Sequence, residues 1–252
     1  MVSPIELERE LNRLLGPENF RDYAPNGLQV ASEQPIELLV TGVSATQALI
    51  DEAIEKGAQA ILVHHGYFWK GENPCLVGMK YQRIKRLMDN NISLFAYHLP
   101  IDVHPVLGNN AQLAARLGIE VTGGLEPGNP YSVGNVGKLI NPLSGDELAQ
   151  KISTELGRKP LFVGAPGRLI RTVAWCTGGA QGYIEQAVDC GVDAYITGEA
   201  SEQTTHIARE YGIHFFAAGH HATERYGVQA VGAAISKKMY IDHEFIDIDN
   251  PV

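Results

Sequence analysis

Two stretches of this chain repeat one another, and that repetition limits the folds open to it more than any other feature. Ile50-Asp51-Glu52-Ala53-Ile54-Glu55-Lys56-Gly57-Ala58-Gln59-Ala60 lies over Ile184-Glu185-Gln186-Ala187-Val188-Asp189-Cys190-Gly191-Val192-Asp193-Ala194 at a constant shift of 134 positions. Isoleucine, alanine, glycine and alanine recur in register, and Asp51 and Ile54 are matched in kind by Glu185 and Val188. In the first copy, residues 36–43 read as a strand, Ser44-x-x-Gln47 as the start of a helix running to Gly57, and residues 60–63 as the next strand. A helix between two strands of one sheet makes those strands parallel. Residues 80–90 read as a further helix and 92–97 as a third strand, which Ile213 to Ala218 resembles in the second copy. The expected fold class is α/β, internally duplicated, with mostly parallel sheets. We expect a first repeat over 1–122, a Gly/Pro-rich excursion over 123–145 and a second repeat over 146–252, whose C-terminal part packs with the first.

Helix punctuation is clear elsewhere. Ser3-Pro4-Ile5-Glu6 and Ser144-x-x-Glu147 are capping-box patterns, and Gly16-Pro17 and Gly157 are stops. Asp22-Tyr23-Ala24-Pro25-Asn26-Gly27 reads as a turn that could equally border a pocket. With 252 residues and 44% hydrophobic content, the chain can fill one large or two small cores. Its net charge of −9 argues against a nucleic-acid backbone as main partner. Cys75, Cys176 and Cys190 show no C-x-x-C spacing, which suggests neither a disulfide framework nor a thiolate zinc site and fits a reducing cytosol. Cys176 and Cys190 are expected to be buried small hydrophobes. No signal-peptide pattern or membrane-length apolar run is apparent.

The chemistry-bearing residues fall at predicted strand ends, where open α/β sheets bind ligands. Residues 60–63 deliver His64-His65-Gly66, the third strand delivers His98-Leu99-Pro100-Ile101-Asp102, and its counterpart delivers Gly219-His220-His221-Ala222-Thr223-Glu224. Adjacent side chains on a strand point to opposite faces. His64 and His65 can therefore share a site if the chain turns at Gly66, or serve two ions. A helix starting after Gly219 would put His220 and Glu224 four residues apart on one face. Three imidazoles and two carboxylates exceed the needs of one tetrahedral ion, and suit two ions bridged by a carboxylate, most economically Glu224, and a hydroxide.

These runs, with Val63-His64-His65-Gly66-Tyr67-Phe68-Trp69-Lys70-Gly71 and Tyr23-Ala24-Pro25-Asn26-Gly27-Leu28-Gln29-Val30, resemble the Nif-three-like dinuclear-metal family. Its members are commonly labelled GTP cyclohydrolase 1 type 2 homologues, and this chain is similar to its short branch. The resemblance implies that His64, His65, Asp102, His220 and Glu224 hold two adjacent divalent ions, with iron, manganese, zinc or nickel compatible with such donors. It further implies two intertwined repeats and a ring-shaped homohexamer. Longer members carry an inserted domain where this chain has its glycine-rich stretch.

Among the other polar residues, His98 and His104 flank Asp102 and could orient a ligand or shuttle a proton, or be loop histidines; His98 and Glu224 are the catalytic candidates. Glu199 could support a ligand, touch substrate or end a turn, and His221 is expected to face away from His220. His206, His214 and His243 lack nameable partners. Two functions fit: a metal-dependent hydrolase acting on a nucleotide, phosphoester or cyclic amide, or a non-catalytic metal-binding ring that scaffolds partners or stores ions. No P-loop or G-x-G-x-x-G occurs.

Overall fold

At the N-terminus the Ser3 hydroxyl accepts the Glu6 N–H while the Glu6 carboxylate takes the Ser3 N–H. This box starts α1 (Pro4–Leu15), whose Leu7, Leu11 and Leu15 are buried and which stops at Gly16 with φ +57°. The computed structural model describes residues 1–252. There follow β1 (Gly27–Val30), β2 (Leu38–Ser44), α2 (Gln47–Glu55), β3 (Ala60–His65), α3 (Gly78–Asp89) and β4 (Ser93–Ala96). After α4 (Leu99–Val103) come α5 (Asn109–Leu117), β5 (Ile119–Gly124), β6 (Asn135–Ser144), α6 (Gly145–Leu156), β7 (Leu161–Val163) and β8 (Leu169–Trp175). The chain ends through α7 (Ile184–Asp189), β9 (Ala194–Thr197), α8 (Glu202–Tyr211), β10 (His214–Ala217), α9 (His220–Met239) and β11 (Asp242–Phe245).

The chain forms two compact units, Met1–Ile101 with Gly227–Asp249, and Asp102–Tyr226 with Asn250–Val252. The first holds a sheet in the order β1-β4-β3-β2-β11, with β4, β3, β2 and β11 parallel and β1 antiparallel at the edge. The second holds β5-β6-β8-β9-β10-β7, in which β8, β9 and β10 are parallel and the flanking strands antiparallel. The duplication is thus an architectural fact. In each unit three parallel strands joined by helices carry an antiparallel edge strand beside the third, β1 beside β4 and β7 beside β10. Ala60 of β3 and Ala194 of β9, one repeat shift apart, both open the central strand of the three.

The unit boundaries differ from those expected at 122/123 and 145/146. The segment following each third strand is built into the other unit: β5 and β6 extend the sheet next to β8, and β11 lies beside β2. The Gly/Pro-rich stretch is therefore sheet rather than excursion over much of its length. Its glycines serve close packing, since a Cβ on Gly137 would meet the Glu120 carbonyl oxygen at 2.4 Å and the Trp175 ring at 3.1 Å. A second local difference concerns α2, capped by Thr46, whose hydroxyl accepts the Leu49 N–H. Ser44 is the last residue of β2, paired with His65, and so lies too early to cap. Leu49, Ile50, Ala53, Ile61, Val63, Ile84, Leu87 and Leu94 fill the core of the first unit, and Leu113, Leu148, Ile152, Ile170, Val173, Trp175, Ile196 and Phe216 fill one core of the second. No helix is long and apolar enough to cross a membrane.

Candidate metal centre

In the first unit, β3 ends on His64 and His65, and the turn after β4 supplies His98. His64 is buried and His65 half-buried. Their rings nevertheless lie only 4.5 Å apart, tilted by 44°. The chain bends there at Gly66, where what matters is space rather than a left-handed φ. A Cβ would meet Gln29 Oε1 at 2.2 Å and Ala96 Cβ at 2.5 Å. Gln29 holds the bend by accepting the Tyr67 N–H at 2.7 Å and donating to the Tyr67 carbonyl at 3.1 Å. The left-handed region is entered two residues later, at Phe68 with φ +66°.

Each of these imidazoles has one nitrogen committed. His64 Nδ1 donates to the Tyr97 carbonyl at 3.2 Å, His65 Nδ1 is 3.1 Å from Ser44 Oγ, and His98 Nδ1 donates to Asp22 Oδ1 at 2.7 Å. A neutral ring that gives its Nδ1 proton away presents a lone pair at Nε2, the arrangement that metal-binding histidines adopt. Ligand atoms of His64, His65 and His98 lie within 4.8 Å of one another. Burial pushes the Asp22 carboxyl up, but hydrogen bonds from His98, Asn26 and the Tyr23 N–H outweigh it and hold the group below its ordinary range.

In the second unit, Asp102 lies on α4, and α9 opens with His220 and carries Glu224 one turn further on. The expected four-residue spacing therefore sits on a helix, with His220 Nε2 3.2 Å from Glu224 Oε2. Asp102 and Glu224 are 7% and 2% exposed, and each offers a carboxylate oxygen within 4.8 Å of the other's. Asp102 Oδ1 accepts from Asn109 Nδ2 at 2.8 Å and Thr177 Oγ1 at 3.2 Å. His220 Nδ1 donates to Glu199 Oε1 at 2.7 Å, so Glu199 stands behind the imidazole. Burial disfavours the charged form of His220, yet Glu224 and Glu199 outweigh it and push its pKa up to about 9. Two carboxylates around one imidazole make this a place that favours positive charge. Gly178, at φ +70°, passes directly over the pair: a Cβ there would meet Glu224 Oε1 at 2.0 Å and His220 Nε2 at 3.2 Å.

A profile of the Duf34/NIF3 (NGG1p interacting factor 3) family matches residues 4–251. The chain belongs to the Duf34/NIF3 family. It is 58% identical over 245 residues to a Pseudomonas aeruginosa protein named GTP cyclohydrolase 1 type 2 homolog, covering 97% of each chain. A protein of the same name from Escherichia coli strain K12 is 54% identical over 247 residues, covering 98% of each. Among solved structures, one described as protein ybgI, of unknown function, superposes with a TM-score of 0.95 at 52% identity over the whole of both chains. A Thermus thermophilus protein superposes with a TM-score of 0.89 at 28% identity, again over the whole of both.

The structure thus gathers His64, His65 and His98 in one unit and Asp102, His220 and Glu224 in the other. The remaining histidines have local work. His104 Nδ1 accepts the Val106 and Leu107 N–H groups, at 3.3 and 3.0 Å, and so holds its loop. His221 donates its backbone N–H to the Val252 carbonyl. His206 pairs with Glu202 at 3.6 Å, His214 accepts from Arg168 Nε at 2.8 Å, and His243 bonds Thr41 at 2.9 Å. Cys176 is buried, which pushes its thiol well above its ordinary pKa. Cys190, expected to be buried, is exposed, because it caps the end of α7 where the first repeat has Lys56. Sequence reasoning missed Asp22, Ser44, Asn109, Thr177 and Gly178. Only Asp22 had left a signal, in its turn-forming segment.

Proposed function

We propose that His64, His65, Asp102, His220 and Glu224 together hold two divalent ions, and that the chain is a metal-dependent hydrolase of a nucleotide, phosphoester or cyclic amide. The buried acid pair is the observation that carries this reading. Two carboxylates buried so close together call for positive charge beside them, which the His220 imidazolium supplies in part and divalent ions would supply when bound. The donors fit such ions by type, being imidazole nitrogens and carboxylate oxygens without thiolate, which suits iron, manganese, zinc or nickel. When bound, two such ions activate water and stabilise charge developing on the attacked group.

The chain's own residues prepare for that chemistry. Tyr97, Ser44 and Glu199 turn His64, His65 and His220 so that Nε2 is the nitrogen each offers. Asn109 and Thr177 orient Asp102. The name shared by the relatives makes GTP the first nucleotide to try, with water attack at C8 of the purine. The assembly we propose is a ring-shaped homohexamer working in the cytosol, which sedimentation velocity would check.

The test uses tag-free protein, elemental analysis and a panel of phosphoesters and GTP, with and without chelator. We expect two ions per chain, chelator-sensitive turnover, and a Glu224→Gln protein that loses one ion and nearly all turnover, while Cys176→Ala changes little. Turnover retained by Glu224→Gln after losing metal refutes the assignment. Absence of turnover in fully metallated protein, with partner binding unaltered in Glu224→Gln, favours a non-catalytic ring that scaffolds partners or stores ions.

A further inference from the structure

A cavity at the end of β10 remote from His220 takes no part in the chemistry proposed above. It lies where β10 begins, between β7, the turn leading into β8 and the C-terminal end of α8, and has a volume of about 480 Å³. Small-molecule sites occupy roughly 300–1,000 Å³. Phe162, Val163, Ala208 and Ile213 give it apolar walls, and the exposed Arg168 and Arg209 stand at its mouth. No acidic residue lines it, so in a chain of net charge −9 the cavity is a local reversal of sign. Asp193, whose field reaches Arg168, is held through Oδ2 by the Arg171 and Thr172 N–H groups and the Thr172 hydroxyl, and pairs with neither guanidinium.

Arg168 is fixed in place. Its Nε donates to His214 Nε2 at 2.8 Å and its Nη2 to the Gly212 carbonyl, which leaves Nη1 uncommitted. The Arg209 side chain, in the last turn of α8, is bonded to nothing in the chain. Orienting Arg168 costs stability. An arginine Nε can only donate, so the buried His214 ring accepts at Nε2 and keeps its proton on Nδ1, where no partner meets it. That N–H is packed against Gly164 of the cavity lining, whose Cβ would come within 2.3 Å of it. A buried donor without an acceptor destabilises a fold and calls for an explanation. A guanidinium held beside an unfilled cavity supplies one.

We propose that this cavity binds a small phosphomonoester of about nucleoside monophosphate size, with Arg168 and Arg209 on the phosphate and the apolar walls against the organic body. Two guanidinium forks match the charge and the several acceptor oxygens of a phosphate better than they match a single carboxylate. His214 acts here as a positioning residue for Arg168. Because β10 separates the cavity from His220, the site is independent of the metal reading.

Calorimetric titration of the protein as purified, with adenosine monophosphate, ribose phosphate and inorganic phosphate, tests this. The variants are Arg209→Gln, Arg209→Lys and, as a control of equal charge change on an exposed part of α1, Arg9→Gln. We expect wild type to bind adenosine monophosphate at least about 10-fold more tightly than inorganic phosphate, through burial of its base and sugar. Arg209→Gln should weaken that binding about 10- to 100-fold, Arg209→Lys less, and Arg9→Gln not at all. Crystals soaked in adenosine monophosphate should show the phosphate within about 3.2 Å of a nitrogen of Arg168 or Arg209. Equal urea midpoints for wild type and Arg209→Gln confirm that folded protein is compared. Nucleotide affinity unchanged in Arg209→Gln overturns the inference, since the binding then lies elsewhere. Inorganic phosphate bound as tightly as the nucleotide, an adventitious ion only, or density in soaked crystals without saturable binding in solution, overturns it too. None of these outcomes bears on the two-ion reading.

Discussion

Adding one methyl group at Gly178 probes the acid pair without touching a donor. The residue sits at φ +70°, and its Cβ would lie 2.0 Å from Glu224 Oε1. Ordinary contact begins near 3.4 Å, so in Gly178→Ala the carboxylate oxygen has to withdraw by more than about 1 Å, whereas coordination distances tolerate only about 0.2 Å. We therefore expect the affinity of the ion held by Glu224 to fall at least about 100-fold, roughly 2.7 kcal/mol. The left-handed backbone adds strain of about 1–2 kcal/mol for any residue with a Cβ. Gly191→Ala isolates that second effect, because Gly191 has φ +66° and nothing within 4 Å of its Cβ position. Both variants should lose stability in urea denaturation, Gly178→Ala the more because the clash adds to the strain, and, against a typical reserve of about 5–15 kcal/mol, both should remain folded. Only Gly178→Ala should lose metal in competition with a chelator. Metal affinity within about threefold of wild type in Gly178→Ala, less than about 0.7 kcal/mol, or an equal loss in Gly191→Ala, would refute the idea that Glu224 is held in place for an ion.

Other expectations concern stability. Thr46→Ala should cost about 1 kcal/mol, measured by urea unfolding, through loss of the α2 cap, while Ser44→Ala should leave that helix capped. His214 is buried against Phe162, and its pKa is held below its ordinary value of 6.5 by that burial and by the nearby Arg168 charge. A depressed histidine contributes stability that is complete above pH 6.5 and is lost as pH falls through the folded-state value. Protonation also removes the lone pair that accepts from Arg168 Nε. His214→Phe should accordingly flatten the fall in thermal stability between about pH 7 and pH 5; an unchanged slope would assign that fall to other groups, such as His243, which burial depresses too.

Much of this protein was legible before any coordinates. The capping boxes at Ser3 and Ser144 act over three residues and appear where the sequence places them. The 134-residue repetition foretold the paired three-strand cores, because the helix and strand periods are written into neighbouring residues. Boundaries were less legible: the glycines and prolines of 123–145 look like loop chemistry, yet Gly137 is required by a strand passing Glu120 and Trp175. Spacing along a helix made the His220–Glu224 pair readable, whereas nothing local foretold that Gly178 would lie on it.

Sequence alone therefore determined the residue types available for binding, the elements that carry them and, through its motifs, the family. Tertiary structure alone decided which nitrogen each imidazole presents, and that Asp22 stands behind His98. Helix and strand signals arise between residues a few positions apart. The hydrogen bonds orienting a donor span up to 76 residues, and so exist only once the intervening sheet has brought their ends together.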